Sequence, residues 1–247
     1  VLLVYDDAVA SSPGGELTDD QLRTLLESVP RARAHRPWLL VNMVHSIDGA
    51  TAAAGRSGGL AGPGDRRLFH LIRNQADTIL VGAATVRTER YHPTEQQLVV
   101  VSRSLDLPRD LPLFTDPARG PRPVVATTED ADPDAADALS ECAEIWRLGR
   151  DGVDLVALLS RLDATGAERV LCEGGPRLLG ELVSRVDVDE WFVTTGGSLV
   201  GGPTSGLLHG AVPRHGLVRL RHVLVHDNDV FAHYLADPTV TSADPRE

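Results

Sequence analysis

Cysteine is scarce in this chain. Only Cys142 and Cys172 occur among 247 residues, and no C-x-x-C pair exists. A zinc site of the usual spacing is thereby disfavoured, and two cysteines in a chain this long fit a reducing compartment. Long apolar runs are also missing, and none approaches the ~20 residues that a membrane span needs. The opening residues, VLLVYDDAVA, are apolar only as far as Tyr5 and then acidic. That is too short and wrongly charged for a signal peptide, so the expectation is a cytoplasmic protein without membrane contact. Basic charge is in the minority: Lys plus Arg is 24, Asp plus Glu is 35, and the formal net charge is −11. Such a chain lacks the footprint of a nucleic-acid binder, although a few arginines and backbone N–H groups can still make a local anion pocket. H-E-x-x-H, G-x-S-x-G and G-K-[ST] are absent, and GAATVR is not G-x-G-x-x-G. No metal is expected, and a simple Rossmann domain is disfavoured.

What remains is ordinary globular composition, 42% hydrophobic and 24% charged. The pattern alternates short apolar runs with amphipathic stretches. LTDDQLRTLLESV reads as a helix capped by Thr18, with Leu22, Leu25, Leu26 and Val29 on one face. WLLVNMV, TILVG, QLVVVS, RPVVATT, EIWRLG and ERVLCEG read as strands. GPGDRRLFHLIRNQA, DPDAADALSE, DLVALLSRLDATG and PRLLGELVSRV read as helices. VDEWFVTTG, LVRLRHVLVH and VFAHYLA follow without helices between them. The expected fold is three-layer αβα, with a mostly parallel central sheet and antiparallel closing strands. Residues 1–36 are expected to be an N-terminal extension, 37–235 the main domain, and 236–247 a disordered tail.

In open α/β sheets, ligands sit at the carboxyl ends of strands, and four polar clusters fall there. In RVLCEGGPRLLGELV, a buried strand ends in Glu173, Gly174 and Gly175 before a helix opened by Pro176. The glycines admit close backbone approach, and the helix start favours an anion such as a diphosphate. VGAATVRTERY places Gly82, Thr85, Arg87 and Glu89 after a second strand. VVVSRSLDLP delivers Ser102, Arg103 and Ser104, suited to a phosphate monoester such as the 2′-phosphate of NADPH. VNMVHSIDGATAAAGRSGG ends a fourth strand in Asn42, Ser46 and Asp48, followed by a flap-like run. Asp48 also fits an Asx turn before Gly49, and His45 reads as a structural or surface histidine.

With these clusters in this order, the chain resembles the pyrimidine reductases of riboflavin biosynthesis, the RibD C-terminal type, which share their fold with dihydrofolate reductase. HSIDG, HLIRNQADTILVGAATVRTE, LVVVSRS, CEGGPRLLGEL, VDVDEWFV and LVGG stand where that family has its motifs, from about Pro37 to Gly202. The resemblance implies NADPH-dependent reduction of 5-amino-6-(5-phosphoribosylamino)uracil, in which the ribosylamine opens to an imine and hydride adds to the sugar carbon. It implies that Gly174, Gly175, Pro176, Arg177 and Leu178 hold the diphosphate, in a stretch reaching Glu181. Val44, Gly82 and Thr85 would contact other parts of the cofactor, and Ser102, Arg103 and Ser104 its 2′-phosphate. Ser46, Ser57, Arg73 and Glu173 would face the substrate. Asp48, Glu89 and Glu173 are the candidate proton donors. A homodimer is implied as well.

Three departures stand out. The family's bifunctional members carry H-x-E and P-C-x-x-C deaminase motifs, which do not occur here, so no deaminase activity is expected. Glu89 replaces the acid of T-V-R-x-D. RYHPTEQ replaces D-P-x-L-T-x-R, so an arginine that binds the substrate phosphate is missing. Two other readings stay open: reduction of another flat heterocycle such as dihydrofolate, and a non-catalytic NADPH-binding protein.

Overall fold

A computed structural model describes residues 1–6, 15–27, 33–116, 119–213 and 215–236. Its centre is one ten-stranded sheet in the order β1-β9-β10-β8-β2-β7-β3-β4-β5-β6. The strands are β1 (Leu2–Asp6), β2 (Trp38–Ser46), β3 (Thr78–Gly82), β4 (Gln97–Val101), β5 (Val124–Thr127), β6 (Glu144–Arg147), β7 (Arg169–Cys172), β8 (Glu190–Gly196), β9 (Val218–His226) and β10 (Asp229–Ala236). From β8 across to β6 every neighbouring pair is parallel. β10 pairs antiparallel with β8 and β9, and β1 antiparallel with β9.

Among the described residues, seven helices cover the sheet: α1 (Asp19–Leu26), α2 (Pro63–Arg73), α3 (Ala83–Glu89), α4 (Pro112–Thr115), α5 (Pro133–Ser140), α6 (Leu155–Ala164) and α7 (Pro176–Val183). Alternate residues of one strand feed opposite layers, as the pleat requires. In β7, Val170 and Cys172 pack with Leu158, Leu179 and Leu182 of α6 and α7, whereas Leu171 packs with Leu68 and Ile72 of α2. The three-layer arrangement with antiparallel closing strands is the one expected. Val29 and all of 236–247 except Ala236 fall outside the described residues.

The described residues before Pro37 pack into this body. Val1, Leu3, Leu22 and Leu26 are buried with Trp38, Leu40 and Leu68. Thr18 caps α1 with a full capping box closed by Gln21. Asp189 and Glu190 of VDVDE are structural. Asp189, 1% exposed, accepts from Arg33, from Arg36 and from the Leu39 amide at 2.9 Å. Glu190 accepts from the Trp38 indole at 2.9 Å and faces His233 at 2.7 Å. These bonds fix β8 against the start of β2, and so fix which residues emerge at the strands' carboxyl ends.

Candidate active site

β2, β7 and β3 lie side by side, and their carboxyl ends meet at the EGGP turn. The Gly82 N–H donates to the Gly174 carbonyl at 2.7 Å. A Cβ on Gly174 would lie 2.7 Å from Met43 Sδ, and one on Gly175 would lie 2.7 Å from Thr85 Oγ1. Gly174 also has φ +77°, so a side chain there is excluded twice. The Gly174–Gly175 peptide is cis. α7 then begins at Pro176 with no side-chain cap. The backbone amides at this turn and helix start are those of Gly174, Gly175, Arg177 and Leu178.

Two clefts open on either side of this turn and share Ala84, Thr85, Gly175, Pro176 and Ser205. The first, about 640 Å³, is lined by Val44, Ser57, Asp65, Arg73, Glu89 and Glu173, among others. The second, about 980 Å³, is lined by Gly82, Ser102, Arg103, Ser104, Arg177 and Leu178, and faces the 149–154 loop. The structure therefore gathers Gly82, Thr85, Ser102–Ser104 and Gly175–Leu178 in one cleft, and Ser57, Arg73, Glu89 and Glu173 in the other. Val44 lines the first cleft only, together with the shared Thr85, Gly175 and Pro176.

Arg73 and Glu173 face each other. The guanidinium donates to both carboxylate oxygens, at 2.8 and 2.6 Å, and the Tyr91 hydroxyl adds a third bond at 2.7 Å. Arg73 also lies over the Phe69 ring, 4.4 Å from its centroid. Such a bidentate pair is planar and rigid. Burial alone would lower the Arg73 pKa, but the hydrogen bond and charge of Glu173 more than offset that and raise it. Burial first, and then the Glu173 charge, push the Tyr91 phenol well above its ordinary value. Glu89 accepts from both the amide and the hydroxyl of Ser57, at 2.8 and 2.9 Å, tying the 51–62 segment to α3. That flap-like run is also closed by paired Ala53 and Arg56 backbone bonds and by buried Leu60.

Two sequence candidates lie elsewhere. Asp48 lines neither cleft. It accepts from the Ser46 hydroxyl at 2.6 Å and from the amides of Val200 and Gly201 at 3.1 and 2.7 Å. The Ser46 bond first, and then those amides, lower its carboxyl to about 2, which is wrong for a proton donor. Ser46 is fully buried and also accepts from the Ala50 amide, so it shapes a turn and does not face substrate. HSIDG and LVGG thus hold each other. His45 bonds the Ser46 carbonyl and Thr195, a structural role.

Sequence reasoning missed Asp65 and Ser205 as cleft residues. Asp65 is a first-turn acid of α2, a position that by itself needs no ligand, and Ser205 lies in a loop whose position depends on contacts with Thr51. Tyr91 carried a signal, being an aromatic residue within the motif departure. In the second cleft the Ser102 hydroxyl is buried without a hydrogen-bond partner. Among the described residues no cluster of three metal-ligating side chains occurs, and no helix is long and apolar enough to cross a membrane.

Comparison with known proteins gives this geometry its context. Residues 37–232 match the RibD C-terminal domain family. A 2,5-diamino-6-ribosylamino-4(3H)-pyrimidinone 5′-phosphate reductase from Methanothermobacter thermautotrophicus is 31% identical over 177 residues, covering 68% of this chain and 81% of its own. A protein of the same name from Archaeoglobus fulgidus is 29% identical, with 69% and 84% covered. The fold is that of a pyrimidine reductase-like protein from Corynebacterium diphtheriae, with a TM-score of 0.75 at 22% identity over 81% of this chain and 92% of that one. The chain belongs to the RibD C-terminal domain family of reductases.

Proposed function

We propose that the protein binds NADPH in the second cleft and, in the first, reduces a 6-ribosylaminopyrimidinone 5′-phosphate to its ribitylamino form. The observation that carries this reading is the junction at Thr85 and Gly175, where an uncapped helix start and an arginine-lined cleft open into a cleft lined by acids. The residues fit the cofactor on two independent counts. The cradle at Gly175 has no room for a Cβ, and the buried Ser102 hydroxyl has an unused hydrogen-bonding capacity. When bound, NADPH supplies a hydride.

The protein's own groups position the reactants. The amides of Gly175, Arg177 and Leu178 hold the diphosphate, with Thr85 beside them. Ser102, Arg103 and Ser104 take the 2′-phosphate. The Arg73–Glu173–Tyr91 wall orients the pyrimidine, and its fixed hydrogen bonds keep that wall from rearranging during the reaction. Arg73 is engaged with Glu173, so the substrate phosphate needs another cation. Arg90 is exposed, lines the same cleft and makes no ion pair among the described residues. It stands in for the missing family arginine. The protein acts as a homodimer in this reading, as the resemblance implies.

The test is NADPH oxidation by purified protein with three acceptors: the 2,5-diaminopyrimidinone, the corresponding 5-aminouracil and dihydrofolate, with NADH as control. Turnover of a ribosylaminopyrimidine with NADPH is expected. Turnover of dihydrofolate alone would replace the substrate, and equal rates with NADH would remove the role of Ser102–Ser104.

A further inference from the structure

Three carboxylic acids line the first cleft, and they are not equivalent. Glu173 accepts three hydrogen bonds from Arg73 and Tyr91, and Glu89 accepts two from Ser57. Both are committed as acceptors. Asp65 differs from them. It sits in the first turn of α2, half-buried, and makes no ion pair among the described residues. Its polar neighbour is Thr194 of β8, which opposes part of the effect of burial on the carboxyl. Asp65 also forms the floor where the first cleft meets a small apolar space bounded by Phe69, Phe192 and Phe231.

Other proton carriers are few. All 24 basic side chains other than histidine are arginine, so no lysine is available. His92 is exposed at the cleft wall, Tyr91 is bonded to Glu173, and Asp48 is outside the cleft.

We propose that Asp65 is the acid that protonates the substrate nitrogen as hydride reaches the sugar carbon. This rests on the reductase reading given above. Opening of the ribosylamine breaks C1′–O4′ and forms C1′=N. The amine proton leaves and the ring oxygen gains one, so no net proton is used. Hydride from NADPH then adds to C1′, the C1′=N π pair moves to nitrogen, and nitrogen takes the Asp65 proton. Water reprotonates the carboxylate. Burial raises the Asp65 carboxyl above its ordinary value, the Asp229 charge adds to that, and Thr194 and Arg66 oppose it. An acid that keeps its proton closer to neutral pH is the better donor.

The test is Asp65→Asn, with Asp65→Glu as the conservative control. For Asp65→Asn, kcat falls by about 100-fold or more, while KM for the pyrimidine and affinity for NADPH stay within about threefold. Asp65→Glu keeps part of the rate. Wild-type kcat declines as pH rises through the raised Asp65 value, and that limb is absent from the Asn variant. The groups facing Asp65 are Thr194 of β8, Asp229 of β10, Arg66 of its own helix, and His222 and His233 across the small space, with Glu89, Arg73 and Glu173 lining the same cleft. An unchanged kcat in Asp65→Asn overturns the assignment. A raised KM with kcat intact makes Asp65 a recognition group and overturns it too. Lost NADPH binding makes Asp65 structural, with the same consequence. A wild-type enzyme that oxidises NADPH with neither pyrimidine overturns the substrate reading itself, and this step with it.

Discussion

Gly175 and Thr85 are pressed together where the two clefts join: a Cβ on the glycine would lie 2.7 Å from the threonine hydroxyl oxygen. The α7 start and the α3 start therefore constrain each other, and the space between them is kept for backbone.

Gly175→Ala is expected to cost about 1–3 kcal/mol of stability through this overlap and to weaken NADPH binding at least tenfold. Adding Thr85→Ala removes the obstructing hydroxyl and restores most of the stability without restoring affinity. Urea melts and fluorescence titration separate the two effects. A Gly175→Ala protein as stable as its parent would show that the contact is looser than argued.

Arg73 should be more costly to lose than Glu173 is to neutralise. Arg73→Ala leaves a buried carboxylate without its cation, an expected loss of about 3–5 kcal/mol. Glu173→Gln keeps the shape and the Tyr91 contact. It should reduce turnover while leaving NADPH affinity within about threefold. Equal turnover for Glu173→Gln and the parent would make Glu173 a purely structural acid.

Ser102 yields two effects of opposite sign. Its hydroxyl is buried without a partner, so Ser102→Ala should leave the free protein as stable or stabilise it by up to about 1 kcal/mol. The same change should weaken NADPH more than NADH. Thermal melts with and without each nucleotide test both halves. A destabilised free protein would mean that the hydroxyl is bonded in solution.

Stability should fall as acid is added below neutrality. Burial, then the neighbouring His233 and Arg221 charges, lower the His222 pKa from 6.5 to about 4, against the opposing pull of Asp6. Between those values the unfolded chain binds a proton that the folded chain does not. Stability is therefore full above pH 6.5, declines as pH falls toward 4, and levels off below that, with a loss of no more than about 3 kcal/mol. His222→Phe should flatten this part of the profile in urea melts across pH. An unchanged slope would assign it to other groups.

Much of this architecture is legible from local pattern. β3, β4 and β7 announce themselves as short runs of buried branched residues, and α7 by Pro176 and its apolar face. β1 does not. It is an edge strand with Leu2, Val4 and Tyr5 exposed, and its partner β9 lies at the other end of the chain. No local pattern carries that pairing. The site shows the same division. EGGP marks a ligand turn because two successive positions lack room for a side chain. An acid before glycine looks alike whether it meets a ligand or a turn, and only the bonds of Asp48 to Ser46, Val200 and Gly201 tell the two apart. Asp65 had the opposite fate, since a helix-start acid needs no further explanation until the cleft beside it is known.

Hydride transfer to the sugar carbon is tested most directly with NADPH deuterated at both C4 positions. The protein is incubated with this cofactor and 2,5-diamino-6-ribosylamino-4(3H)-pyrimidinone 5′-phosphate, and the product is analysed by mass spectrometry and proton NMR. One deuterium at C1′ of the ribityl chain per cofactor oxidised is the expected result. Cofactor oxidation without deuterium in the product, or no oxidation by folded protein, would contradict it.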